Sequence, residues 1–278
     1  MGAPMGTNEI CIYPFIRRMN MEVITIANNK GGVGKTMQCF QLASHLANLG
    51  HKVLAIDLDS QANLTSTFNA TCQRTLIPEW LIGEVELEEV VIQAQGKYEH
   101  LENLFVIPSS RHLANLAKLL ILSENEVRKD AGRKERLLKL RLKEAEGMFD
   151  YVVIDTPPVL GDELIMALVA SNRILIPTQA QDYSIDGLEE LMDTFEIIKE
   201  TENPNLEFAI IPSMVDTRRK IEMQRLEELG DSFNVTPKIR NLVEMQESIA
   251  LRKPVFMMGK RSKGAQDYRD LWESLDIV

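Results

Sequence analysis

The stretch that decides the fold runs Glu22-Val23-Ile24-Thr25-Ile26-Ala27-Asn28-Asn29-Lys30-Gly31-Gly32-Val33-Gly34-Lys35-Thr36. Its first part is a β-branched, aliphatic run, the pattern of a strand buried on both faces. Three glycines follow within four residues, and a helix is expected over 35–49, with Phe40, Leu42, Ala43, Leu46 and Leu49 near helical spacing. Gly50 stands where a helix-terminating C′ residue belongs. A glycine-rich turn between strand and helix exposes successive backbone N–H groups to an anion, and the helix N-terminus adds partial positive charge. Lys35 can reach terminal phosphates from there, and the Thr36 hydroxyl can complete a Mg²⁺ shell.

Outward from this loop the same alternation continues. Further strands are expected at 53–56, 105–107, 151–154, 174–176 and 208–211, separated by helical segments near 112–122, 130–146, 186–200, 217–229 and 264–275. Near-continuous apolar strands alternating with helices imply a doubly wound, mostly parallel α/β sheet with helices on both faces, a three-layer sandwich. Residues 60–100 are the least regular and are expected to form short helices outside the sheet. No repeat, low-complexity linker or composition break divides the chain, so 1–20 reads as a short extension and 21–278 as one domain.

Composition narrows the classes. The 278 residues carry 31 basic and 41 acidic side chains, a net charge of −10, with 45% hydrophobic and 26% charged residues. These are globular proportions and exclude a disordered tail, a collagen-like rod or a disulfide-knotted miniprotein. The acidic balance argues against a uniformly basic nucleic-acid coat and leaves local patches open. No apolar run approaches the roughly 20 residues that cross a bilayer. Cys11, Cys39 and Cys72 are far apart and form no C-x-x-C pair, which fits a reducing cytoplasm. The first residues lack a signal-peptide pattern, and Gly6 stands where myristoylation wants Ser or Thr.

The loop departs from the ordinary phosphate-binding pattern: Asn29 replaces the glycine expected five residues before Gly34, and Lys30 adds a second lysine. This string resembles the deviant Walker A box of the ParA/MinD superfamily of ATPases, and the resemblance runs over nearly the whole chain from Glu22. It implies a P-loop NTPase that binds ATP and Mg²⁺ through Lys30, Gly31, Gly32, Val33, Gly34, Lys35, Thr36 and Met37. It also implies that Lys30 crosses to the nucleotide held by a partner subunit, so that ATP is sandwiched in a homodimer. An added cation offsets phosphate charge there only when two protomers meet.

Two acidic motifs extend the resemblance. Asp57-Leu58-Asp59-Ser60-Gln61 is similar to the family's D-L-D-P-Q, with Ser60 in place of the usual proline; Asp59 would position or activate the attacking water and Asp57 would support the Mg²⁺ shell. Phe149 to Pro158 resembles the Walker B segment, with Asp155 holding Mg²⁺ through water. Lys30, Lys35 and Asp59 are thus the implied catalytic set, and Thr36, Asp57 and Asp155 the metal set. Ile211 to Arg218 resembles the turn that holds adenine, where Met214 would pack on the base and Asp216 is a candidate edge contact. Ile176-Pro177-Thr178-Gln179 is similar to the family's I-P-x-Q strand end. Residues 236–254 resemble its last nucleotide-side loop and helix.

The C-terminal third holds the candidate DNA-binding residues Arg218, Arg219, Lys238, Arg240, Arg252, Lys253, Lys260, Arg261 and Lys263, and residues 251–263 contain no acid. Arg218 matches a DNA-binding position of ParA proteins by its place after the M-x-D turn. A second basic stretch, Arg133, Lys134, Arg136, Lys139, Arg141 and Lys143, reads mainly as a solvated face. A MinD-like protein needs a basic amphipathic C-terminal helix, whereas residues 267–278 are acidic here, so no membrane partner is expected. No close cysteine pair serves an iron–sulfur cluster, and Tyr268 alone does not make a tyrosine-kinase tail.

The resemblance therefore implies a ParA-type partition ATPase, cytoplasmic and nucleoid-associated. It would dimerise with ATP, bind DNA non-specifically and leave it on hydrolysis stimulated by a ParB-like centromere-binding partner. The alternatives are a ParA-like positioner of a protein cargo such as a carboxysome, or a MinD-like membrane-cycling ATPase. Twenty leading residues are too few for a helix-turn-helix domain, so no operator-specific binding is expected.

Overall fold

A computed structural model describes residues 21–96, 98–122, 126–179, 185–259 and 261–277. The extension 1–20, with Cys11, lies outside them. Among the described residues, seven strands form one sheet: β1 (Glu22–Ile26), β2 (Val53–Asp57), β3 (Ile92–Gln93), β4 (Leu104–Ile107), β5 (Tyr151–Asp155), β6 (Arg173–Thr178) and β7 (Glu207–Pro212), in the order β3-β4-β2-β5-β1-β6-β7. Every pairing is parallel except that of β3 with β4. β1 lies between β5 and β6, so the loop after it emerges at the middle of the carboxyl edge, where open α/β sheets bind ligands.

Both faces are covered because strand residues alternate between two apolar layers. Ile24, Ile26, Val53, Ala55 and Val153 pack on one side with Phe40, Leu42 and Leu46 of α1 (Lys35–Asn48) and with Leu271 and Trp272 near the C-terminus. Val23, Leu54, Ile56, Val152 and Ile154 pack on the other with Trp80, Leu137, Leu138 and Met166. The short helices α2 (Asn63–Thr67), α3 (Ile77–Leu81) and α4 (Leu87–Val90) fill the irregular region. α5 (Leu116–Leu122), α6 (Glu126–Ala131), α7 (Leu137–Arg141) and α8 (Asp162–Ala170) follow. α9 (Ile185–Thr201), α10 (Lys220–Ser232), α11 (Val243–Ala250) and α12 (Lys263–Ser274) complete the chain. This is the expected three-layer sandwich.

Two sequence expectations need correction. The helix expected at 130–146 is broken: Gly132, at φ 70°, ends α6 in the left-handed conformation that glycine adopts freely. The helix expected from 217 begins at Lys220, because residues 216–219 form a turn closed by the Arg219 N–H donating to the Asp216 carbonyl. The basic stretch after Gly132 is mainly a solvated face, as expected, with Arg133, Arg136, Lys139 and Lys143 exposed, and it forms ion pairs at the surface. Arg133 and Arg136 grip Glu202 of the turn after α9, Lys134 meets Asp162, and Arg141 meets Glu144.

A buried polar network ties α1 to the C-terminal segment. Gln41 Nε2 donates to Ser248 Oγ at 2.7 Å, Ser248 Oγ donates to the Lys253 carbonyl, and Gln41 Oε1 accepts the Val255 N–H at 3.0 Å. Gln41→Leu keeps the bulk but orphans the Val255 N–H. The variant should lose about 1–3 kcal/mol of stability by urea unfolding; an unchanged midpoint would show that the network holds nothing.

Candidate nucleotide site

The loop is held open by its own backbone. Gly32 (φ 76°) and Gly34 (φ 97°) adopt left-handed conformations that residues with a Cβ rarely take. α1 starts at once after Gly34 with no side-chain cap and no acid in its first turn, so its first N–H groups have no capping acceptor. Lys35 folds over the loop, donating from Nζ to the Lys30 carbonyl at 2.8 Å, and is 7% exposed. Burial lowers its pKa, opposed by Asp155 and Asp59.

Surrounding side chains brace the loop from outside. Asn28 Oδ1 accepts the Lys30 N–H, and Asn28 Nδ2 donates to the Pro177 carbonyl. Gln179 Nε2 donates to the Gly32 carbonyl at 2.8 Å, and Asn29 Nδ2 donates to Glu190 of α9 at 3.0 Å. Of these braces Gln179 belongs to the I-P-x-Q strand end, whereas Asn28 and Glu190 carry no motif signal in the sequence.

The acidic residues converge as their motifs suggest. Asp57 and Asp155 end adjacent strands in register. Asp57 is fully buried and saturated, its Oδ2 accepting the Thr65 N–H (2.8 Å) and hydroxyl (2.7 Å) and its Oδ1 the Asp59 N–H. Thr65, missed in the sequence, is therefore the residue that fixes Asp57. Asp59 turns outward and is half-buried, with Oδ1 accepting the Gln61 N–H. Asp155 Oδ2 accepts the Thr36 hydroxyl at 2.7 Å, while its buried Oδ1 has no partner among the described residues. Burial pushes Asp57 up to about 6, against its hydrogen bonds; burial and the neighbouring Asp57 charge push Asp155 up to about 8. An orphaned carboxylate oxygen beside a threonine hydroxyl is an all-oxygen donor set that suits a hard cation, so these residues fit Mg²⁺.

Beside the loop lies a cleft lined by Gly34, Met37, Gln38, Met214, Arg240 and Tyr268, among others. Met214, at φ 56° and 42% exposed, reaches over Gly34: a Cβ on Gly34 would lie 3.5 Å from its Cε. Asp216, the candidate edge contact, is paired locally. Arg218 grips both its oxygens at 2.8 Å and holds its carboxyl down at about 2.

The basic residues divide into two groups. Arg218, Arg219, Arg252, Arg261 and Lys263 are exposed, Arg252 with its Nη1 donating to Asn69 at 2.7 Å. Lys238 and Lys253 are half-buried. Arg240 is committed inward, donating to buried Asp267 from Nε and Nη2 and to the Lys263 carbonyl, so it locks the last loop to α12. Lys260 lies outside the described residues. No described helix is long and apolar enough to cross a membrane.

Comparison with known proteins agrees with this geometry. A family model described as an AAA domain matches residues 21–208. The chain is 32% identical over 256 residues to the sporulation initiation inhibitor protein Soj of Bacillus subtilis, covering 90% of this chain and 96% of that protein. It is 30% identical over 262 residues to the chromosome partitioning protein ParA of Myxococcus xanthus, covering 91% and 87%. A solved cobyrinic acid a,c-diamide synthase from Mycobacterium smegmatis, with bound ATP analogue and magnesium, superposes with a TM-score of 0.75 at 26% identity, covering 92% of this chain and 94% of that one. Its different chemistry shows that the fold alone does not select a cargo. With a family model matching most of the chain and partition proteins matching it nearly end to end, this chain belongs to the AAA-domain family and, within it, to the ParA-type partition ATPases.

Proposed function

We propose that the chain is an Mg²⁺-dependent ATPase of the deviant Walker A type that couples ATP binding to dimerisation and non-specific DNA binding. The observation that carries the reading is the pairing of an uncapped α1 N-terminus under Lys35 with the orphaned Asp155 oxygen beside Thr36. The loop N–H groups and Lys35 bind the phosphates, and Met214 packs on the base. Thr36 and Asp155 would hold Mg²⁺, with Asp57 behind them. When bound, the ion neutralises charge on the phosphate oxygens.

Asp59 orients the attacking water and takes up its proton as the water oxygen bonds to the γ-phosphorus and the bond to the β–γ bridging oxygen breaks. Lys30 reaches the triphosphate of a second copy, so two protomers are held together while both γ-phosphates remain. Hydrolysis removes that shared anion, the dimer opens and the bound population shifts back to monomer. Arg218, Arg219, Arg252, Arg261 and Lys263 supply phosphate contacts to DNA, and dimerisation doubles them. A ParB-like partner accelerates the step in the cytoplasm, on the nucleoid.

Removing the Lys35 ammonium should abolish ATP binding: Lys35→Ala should show no saturable heat of binding in calorimetry, and near-parental affinity would contradict the loop assignment. DNA binding measured with ATP, with ADP and without nucleotide across a salt series should appear with ATP alone. It should also weaken steeply with salt, as counterion release requires. Binding indifferent to nucleotide, or to vesicles in place of DNA, would overturn the cycle.

A further inference from the structure

The loop from Asp57 to Thr65 carries Asp59, and a single carboxylate clasps its two ends. Asp57 Oδ2 accepts the Thr65 N–H at 2.8 Å and the Thr65 hydroxyl at 2.7 Å. The other oxygen, Oδ1, accepts the Asp59 N–H at 3.1 Å. One residue earlier, the Leu58 N–H donates to the Asp155 carbonyl at 2.9 Å. The two amides that lead into Asp59 are thus tied one to each of the neighbouring strand ends. Beyond Asp59 the chain turns at once: its Oδ1 accepts the Gln61 N–H and its carbonyl the Ala62 N–H, both at 2.9 Å. Ala62 sits at φ 55°, a left-handed conformation that a residue with a Cβ adopts at a cost.

The Thr65 hydroxyl is the point where this loop meets the rest of the sheet. Its oxygen accepts the Ser109 N–H, from the turn after β4, at 2.8 Å. A hydroxyl has one proton to give, and here it goes to Asp57 while the oxygen is held from the far side. Thr65 is 2% exposed and Asp57 fully buried, so water cannot readily replace either bond. Loss of the hydroxyl would leave one donor on Oδ2 and orphan the Ser109 amide. The hydrogen bonds that aim Asp59 would then hang on a carboxylate gripped from one side only.

We propose that Thr65 is a positioning residue for ATP hydrolysis: its hydroxyl, through the Asp57 carboxylate, sets the backbone place of Asp59. The inference rests on the reading of Asp59 as the residue that orients the attacking water, and it adds the group that aims it. Buried beneath the loop, Thr65 acts on that water through Asp57 and Asp59 in turn.

The test compares the parent with Thr65→Ala, Thr65→Val and Thr65→Ser in three measurements on the full chain. These are steady-state ATP hydrolysis over a magnesium series, calorimetric ATP affinity, and melting of the nucleotide-free chain, with rates taken well below each melting temperature. The two variants without a hydroxyl should lose about tenfold in kcat while ATP affinity stays within about threefold of the parent. Thr65→Ser, which keeps the hydroxyl, should return kcat to within about threefold of the parent. Thr65→Ala adds no bulk, so it carries the test even where the valine methyl does not fit against Asp57. A hydroxyl that only supports the fold would lower the melting temperature and leave kcat of the folded chain unchanged, which would overturn the inference. A parental kcat reached only at higher magnesium would overturn it too, by assigning the hydroxyl to the ion. A parent that hydrolyses no ATP, or an Asp59→Ala variant as fast as the parent, would instead overturn the reading of the site beneath it.

Discussion

Everything in the site depends on a concentration of charge that the sheet enforces. Asp57 and Asp155 end neighbouring parallel strands in register, so two carboxylates are driven together in a buried layer and Asp59 stands two residues beyond. The Lys35 ammonium is folded in against them, and among the described residues one Asp155 oxygen has no partner. Such a cluster is unfavourable by itself, because burial and like charge both oppose ionisation. It becomes favourable when a hard cation and an anion chain arrive together, which is what Mg·ATP supplies. The glycine loop provides the complementary half: uncapped amides, aimed where phosphate oxygens must lie.

The remaining architecture fixes these parts in place. Thr65 saturates Asp57 so that it cannot turn away, and Asn28, Asn29 and Gln179 brace the loop from three directions. Val215 and Arg240 pair backbone to backbone, and Arg240 is bolted to Asp267 of α12. The cleft beside the loop is therefore walled by elements far apart in the chain and joined by hydrogen bonds.

Much of this was legible in the order of residues. The six longer strands are buried on both faces and so read as unbroken apolar runs; β3 has two residues and no pattern to see. Gly132 was visible but lies among strong helix formers, which hid the break. The phosphate loop and the three aspartates were legible because their chemistry demands particular residue types at fixed spacing. Asn28 and Thr65 were not, since an asparagine after a strand and a threonine in a short helix look like ordinary turn residues. The Arg218 grip on Asp216 joins residues two positions apart. The Arg240–Asp267 pair spans 27 positions and had no local signal.

The central claim is that the triphosphate joins two copies through Lys30, and sedimentation velocity tests it most directly. With a non-cleavable ATP analogue and magnesium the chain should sediment as a dimer, whereas with ADP, or with Lys30→Ala in the analogue, it should sediment as a monomer. A parent chain that stays monomeric in saturating analogue would contradict the account.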